Sequence, residues 1–203
     1  MLVAMTKTLA PIVFDLDDVL AHFNHALCET LVDVTGDTSK FDDYLYWKQY
    51  EIRHLYPEIP RFDDVFHVME RTGVIARLKP VQPVVRIANM LADMGHPITV
   101  LTARGWMDDG HGVSSAWLEM AGVNVSNVIV SAHQKSKKDY MPEGVALYFD
   151  DNADHIIDCA PLVGRAILIA KPWNEAAIPH LPANARRVEV GDLYSHLGDF
   201  LDA

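Results

Sequence analysis

Several things are scarce in this chain, and each scarcity removes a class of function. Only two cysteines occur among the 203 residues, Cys28 and Cys159. Their separation forms no metal or redox spacing, so they read as buried free thiols in a reducing compartment. Positive charge is short: 17 Lys and Arg face 28 Asp and Glu, a formal net charge of −11. Tracking along a nucleic acid polymer needs a basic face, which this balance argues against. No apolar run is long enough for a membrane span, and no basic n-region followed by a long apolar stretch opens the chain, so a cytoplasmic protein with no membrane partner is expected. Glycine loops of the GxGxxG or Walker type are absent, as are internal repeats and low-complexity segments, so a nucleotide cofactor is not indicated. Apolar residues, in contrast, make up 50% of the chain. That is enough to bury one domain, or one domain with a modest insertion.

The stretch Pro11-Ile12-Val13-Phe14-Asp15-Leu16-Asp17-Asp18 organises the rest. A short apolar run ending abruptly in acid reads as a buried strand of a parallel sheet. Such sheets bind ligands at the carboxyl ends of their strands, where Asp15 and Asp17 are delivered. Residues from Val19 to about Val34 are helix-compatible, with Gly36 as a stop. Residues 38–79 then crowd aromatics together, including Phe41, Tyr44, Trp47, Phe62 and Phe66, and predict short helices broken at Pro57 and Pro60. From Pro80 onward, helical and strand patterns alternate. A helix through Val84, Ile87 and Leu91 ends at Gly95, and strand 97–101 leads into Thr102-Ala103-Arg104-Gly105. A helix from about Ser115 to Ala121 precedes strand 127–130, and Lys135, Lys137 and Lys138 precede strand 145–149, which runs into Asp150-Asp151. Strand 166–169, Pro172-Trp173-Asn174 and a last helix near Leu193–Leu201 finish the chain. This alternation predicts an α/β fold, a Rossmann-like parallel sheet with helices on both faces.

On a parallel sheet the ends of these strands share one edge, so Asp15, Asp17, Thr102, Asp150 and Asp151 can converge there. Converging carboxylates repel unless a cation lies between them, and with no His or Cys cluster a hard, oxygen-seeking ion such as Mg²⁺ is the natural choice. Metal and lysine together would neutralise a substrate phosphate and let a carboxylate attack phosphorus. Asp17, two residues on, could protonate the leaving oxygen and later activate water.

The order Phe14-Asp15-Leu16-Asp17, Leu101-Thr102, Lys137 or Lys138, and Phe149-Asp150-Asp151 resembles the four motifs of the haloacid dehalogenase superfamily of aspartate-nucleophile phosphatases. The resemblance implies Asp15 as nucleophile, Asp17 as general acid/base, Thr102 with backbone near Ala103 on the phosphate, and Lys137 as the motif lysine, with Lys138 close behind. Mg²⁺ is then expected on Asp15, the Asp17 backbone carbonyl and Asp150 or Asp151. Residues 1–20 and 80–203 would form the catalytic core and 21–79 a helical cap of the kind inserted after strand 1. Within the superfamily, Asp15 to Phe23 is similar to the 5'(3')-deoxyribonucleotidase group, as are Trp117-Leu118 and Pro172-Trp173-Asn174. The expected substrate is therefore a nucleoside monophosphate, with Phe23 stacking on the base and Trp47 or Tyr44 completing a clamp. Another small phosphomonoester such as a sugar phosphate, or a catalytically idle binding domain, are the alternatives, and the cap could also serve as the face of a homodimer. Departures are Asp18 in place of Gly, His22 in place of an acid, and Ala103-Arg104 in place of a Ser-Pro type pair. Arg104 could contact the substrate phosphate or pair with a carboxylate near the edge, and His155 could support a carboxylate.

Overall fold

Ile12, Val13 and Phe14 are β-formers without a polar atom in their side chains, and all three are fully buried as strand β1 (Ile12–Phe14). The computed structural model describes residues 9–39 and 53–201. Within them, β1 lies between β2 (Ile98–Gly105) and β4 (Leu147–Asp150), parallel to both. β3 (Asn127–Ala132), β5 (Arg165–Ile169) and β6 (Ala185–Val188) extend the sheet to six strands in the order β3-β2-β1-β4-β5-β6, all pairs parallel. Successive strand residues point to opposite faces. Ile12 and Phe14 therefore join one apolar cluster, whereas Val13 joins a second on the other side. Phe14 stacks on Phe149 across the β1–β4 pair, with ring centres 4.4 Å apart. The strand order runs outward from β1 in one direction and from β4 in the other. Their junction is the switch point at which open α/β sheets form a ligand crevice.

The first helix, α1 (Phe23–Thr35), starts later than the apolar pattern from Val19 suggests. Residues 16–21 close a tight turn instead, in which the Leu16 carbonyl accepts from the Leu20 and Ala21 N–H groups and the Ala21 carbonyl from Asp18. The turn needs a left-handed residue, and Asp18 supplies it at φ 57°. Gly36 ends the helix in the same conformation, its N–H on the Val32 carbonyl, as glycine commonly does.

The segment between β1 and β2 contributes α1, a short 3₁₀ turn (Arg53–Leu55), α2 (Asp63–Arg71) and another turn (Ile75–Arg77). Tyr56, Phe62, Val65, Met69 and Ile75 are buried in the same cluster as Phe14, α1 and the helix α3 (Gln82–Asp93). The outgoing and returning chains pair where they leave the sheet: His22 N–H donates to the Lys79 carbonyl and Val81 N–H to that of Leu20. Trp47 and Tyr44 lie outside the described residues.

α4 (Gly110–Met120) begins well before Ser115 because Asp109 caps it, accepting the Gly112 N–H at 2.8 Å. The glycine at its first position allows close approach rather than breaking the helix. A Cβ on Gly110 would sit 2.4 Å from the Arg104 carbonyl oxygen. α5 (Ala153–Cys159), capped by Asn152, and α6 (Leu193–Leu201) complete the layers. Among the described residues no helix is long and apolar enough to cross a membrane.

Candidate active site

Register places the first acids. Phe14 pairs with Phe149, so Asp15 and Asp150 emerge side by side at the switch point, and the Asp15 N–H still donates to the Phe149 carbonyl at 2.8 Å. Lys137 joins them. It opens a 3₁₀ turn (Lys137–Tyr140) after β3, is 1% exposed, and its Nζ donates to Asp15 Oδ1 at 2.5 Å and Asp150 Oδ2 at 2.8 Å. Lys138, the alternative, is exposed and does not line the cleft. Burial alone would lower the lysine's pKa, but the two carboxylates reverse this and raise it, so Lys137 stays charged.

Asp150 is tethered on every side. Its Oδ1 accepts the Asn152 N–H (2.8 Å), and its Oδ2 accepts from the Tyr148 phenol and lies 3.2 Å from His155 Nδ1. Burial pushes its carboxyl up, but Lys137 and His155 outweigh that and hold it below the usual carboxylate range. Asp151 is held by the loop after β5: Trp173 Nε1 donates to its Oδ2 (3.1 Å), and the Asn174 side chain donates to its carbonyl (2.8 Å). Burial, Asp150, Asp18 and Asp15 all push the Asp151 carboxyl well up. Asp15 is raised to about 7 by burial, against Lys137 and with the help of Asp150 and Asp17.

Asp15, Asp150 and Asp151 each present an oxygen within 4.8 Å of the others, and all three are buried. Three hard oxygen donors crowded beyond what one lysine can neutralise suit a hard divalent cation, and among the described residues no nitrogen or sulfur ligand from His or Cys joins this group. The Asp17 carboxylate is not in the group. It turns to Arg104, which donates from Nε to Oδ2 (2.9 Å) and from Nη2 to Oδ1 (2.5 Å). Arg104 is fully buried and does not line the cleft, and of the two partners open to it the structure shows the carboxylate.

Thr102 ends the regular part of β2, fully buried. Its Oγ1 is the one buried side-chain polar atom among the described residues with no hydrogen-bond partner. A buried hydroxyl is costly to leave unpaired, although Thr102, like Arg104, is not among the residues that line the cleft. The adjacent Ala103 lines the cleft. Asp18 directs its carboxylate to the Asn24 N–H at 3.1 and 3.2 Å, taking the role at the start of α1 that His22 leaves unfilled. Its pKa is raised to about 7, by burial against the pull of Lys171.

Over this acidic floor lies a cleft of about 290 Å³, the size of a small-molecule site. Phe23, Phe62, Phe66 and Trp106 wall it, and Phe66 is central to the wall. Its ring lies 6.0 Å from Phe23, 6.0 Å edge-on from Phe62 and 5.6 Å from Trp106. Trp106, Phe62, Phe66 and Tyr148 were not singled out for the site by sequence reasoning. Trp106 follows Thr102 by only four positions, and that closeness was the available signal. Tyr148 had a usable signal, since a spacing of two on a strand puts it on the same face as Asp150.

Solved structures of related architecture align along nearly the whole chain. A haloacid dehalogenase-like hydrolase from Streptococcus pneumoniae matches at TM-score 0.65 and 9% identity over 93% of this chain and 98% of that one. A HAD family hydrolase from Deinococcus radiodurans R1, with bound phosphate and sodium, matches at 0.65 and 13% over 95% and 96%. The D,D-heptose 1,7-bisphosphate phosphatase from B. bronchiseptica, complexed with magnesium and phosphate, matches at 0.53 and 12% over 94% and 99%. The fold is thus that of the haloacid dehalogenase-like hydrolases. No curated protein sequence matches the chain. The family described as 5' nucleotidase, deoxy (pyrimidine), cytosolic type C matches residues 9–189, and the chain belongs to that family. It is accordingly a phosphoric monoester hydrolase of the 5'-nucleotidase type.

Proposed function

We propose that the protein hydrolyses nucleoside monophosphates, 5'(3')-deoxyribonucleotides in particular, through a phosphoryl group held transiently on Asp15. The observation that carries this reading is the convergence of Asp15, Asp150 and Asp151 around Lys137 at the sheet's switch point. Asp15, Asp150 and Asp151, with the Asp17 backbone carbonyl, would hold Mg²⁺. When bound, the ion offsets the charge of the carboxylates and of the phosphate oxygens, so that anion can approach anion.

The chain's own groups supply the rest. An Asp15 carboxylate oxygen attacks phosphorus as the ester P–O bond breaks, and Asp17 gives its proton to the departing nucleoside oxygen. Water then attacks phosphorus and gives a proton to Asp17, releasing inorganic phosphate and restoring the Asp15 carboxylate. Lys137 keeps Asp15 in place and lends it a positive charge throughout. Thr102 Oγ1, unpaired otherwise, donates to a phosphate oxygen, with Ala103 beside it. The aromatic wall suits a base, because every base offers a π-face to Phe23, Phe66 or Trp106. Residues 21–79 act as the cap that carries most of this wall over the core at 1–20 and 80–203. The family's description also supports a cytosolic location.

The test is phosphate release, with Mg²⁺ and with chelator, from 5'- and 3'-mononucleotides and deoxymononucleotides beside sugar phosphates. Nucleotide-preferring, Mg²⁺-dependent release that disappears in Asp15→Asn is expected. Equal turnover of sugar phosphates would remove the nucleotide assignment. Activity surviving Asp15→Asn would remove the mechanism.

A further inference from the structure

Arg104 stands where the related deoxyribonucleotidases carry the second residue of a Ser-Pro type pair, and a fully buried guanidinium needs an explanation. Its planar fork meets the Asp17 carboxylate with two parallel bonds, Nε to Oδ2 and Nη2 to Oδ1. Such a pair fixes the plane of the carboxylate as well as its position, which a lysine cannot do. The third nitrogen, Nη1, is anchored 3.4 Å from Ser114 Oγ, itself fully buried on α4. The backbone of Arg104 is fixed as well. Its carbonyl accepts the Met107 N–H, and Gly110 packs so closely against it that no side chain fits between. Arg104 is thus bound to the end of β2 and the first turns of α4, while Asp17, at 24% side-chain exposure, reaches the cleft.

We propose that Arg104 is the positioning residue for Asp17: it fixes the plane of the carboxyl group, which carries the proton before the ester bond breaks and gives it to the leaving oxygen, and does not itself contact the substrate. The inference rests on the mechanism proposed above, in which Asp17 is the proton donor. Proton delivery matters in proportion to how poor the leaving group is. A nucleoside alkoxide cannot leave without a proton, whereas p-nitrophenolate leaves unaided. A phosphate-binding arginine would instead serve both esters equally.

The experiment compares kcat/KM for a deoxynucleoside monophosphate and for p-nitrophenyl phosphate in the wild type, Arg104→Gln, Arg104→Lys, Asp17→Asn and the Asp17→Asn/Arg104→Gln double variant. The ratio of the two substrates within one preparation is independent of how much of it is folded, so partial misfolding of a variant does not blur the result. For both Arg104 variants the nucleotide value is expected to fall roughly 10- to 100-fold and the p-nitrophenyl value by less than about 3-fold. Asp17→Asn is expected to show the same split, and adding Arg104→Gln to it to change the ratio no further. Equal losses on both esters, or a ratio that falls again in the double variant, overturns the positioning role. Asp15→Asn separates the two levels. If it leaves either substrate turning over, the mechanism itself fails and this inference goes with it, whereas loss of both together with equal Arg104 losses overturns the inference alone.

Discussion

Replacing Lys137 by Met keeps the length and most of the volume of the side chain while removing the charge that Asp15 and Asp150 share. Both carboxylates are buried, and the ammonium lies 2.5 and 2.8 Å from their oxygens. Removing one partner of a buried ion pair costs about 3–5 kcal/mol, because the remaining charge is stranded. There is also a ceiling. A stranded carboxylate can escape by taking up a proton. For a group with an ordinary value of 3.8, that costs about 1.4 kcal/mol per pH unit, or about 5 kcal/mol at about pH 7.5 and about 2 kcal/mol at about pH 5.5. In chelator, urea unfolding of Lys137→Met is therefore expected to show a loss of about 3–5 kcal/mol relative to wild type at the higher pH, shrinking to about 2 kcal/mol at the lower. The variant should also recover more stability than wild type on addition of Mg²⁺, which replaces the missing charge. A loss below about 1 kcal/mol at the higher pH, or an equal loss at both, would refute the reasoning.

Two further outcomes follow from the same geometry. Asp18→Gly is expected to be more stable than Asp18→Ala by about 1 kcal/mol in urea unfolding, since both lose the bonds to Asn24 but only glycine adopts φ 57° without strain; the reverse order would show that the turn relaxes. Asp15 and Asp18 are each raised from 3.8 to about 7, so the folded chain binds protons more tightly than the unfolded one, and stability falls as pH rises from about 4 through 7. The melting temperature in chelator should accordingly be higher at about pH 5.5 than at about pH 8, with Mg²⁺ raising it more at about pH 8, and a flat profile would count against this. The depressed Asp150 does not oppose the trend, because its stabilisation is lost only as pH falls below the ordinary carboxylate range.

What could be read from the sequence was whatever is written in local pattern. Five of the six parallel strands were legible because each apolar run stops in a polar or acidic residue, whereas β6 carries two arginines and shows no such run; α3 was legible because Val84, Ile87 and Leu91 recur at helical spacing between Pro83 and Gly95. The start of α1 was not legible, since a left-handed Asp18 diverts the chain into a turn before any helix can form. That conformation also accounts for the glycine usual at this position in the related group. The extended start of α4 depended on Asp109 and on glycines that at a helix terminus serve contact and not disorder. The direction of Arg104 could not be read because its partner, Asp17, is remote in sequence and shares no local pattern with it. The same holds for Trp173 on Asp151. Tertiary pairs of this kind become visible only once register has placed both strand ends at one edge.

Charge explains why these particular additions belong together. Asp15, Asp17, Asp18, Asp150 and Asp151 meet at one edge of the sheet, and Lys137, Arg104 and Lys171 are the permanent cations that pair with them or act on them. Arg104 is committed to Asp17, Lys137 is divided between Asp15 and Asp150, and Lys171 acts on both Asp18 and Asp151, so five carboxyl groups share three cations. An incoming phosphate adds to that excess in a chain already at −11. A divalent cation among Asp15, Asp150 and Asp151 would remove that excess. It would also let Asp15, otherwise raised to about 7, stay ionised for the nucleophilic role proposed for it. In the proposed mechanism a metal requirement would follow from the number of acids the fold assembles, and the buried Arg104–Asp17 pair would keep one of those carboxyl groups out of the metal's reach.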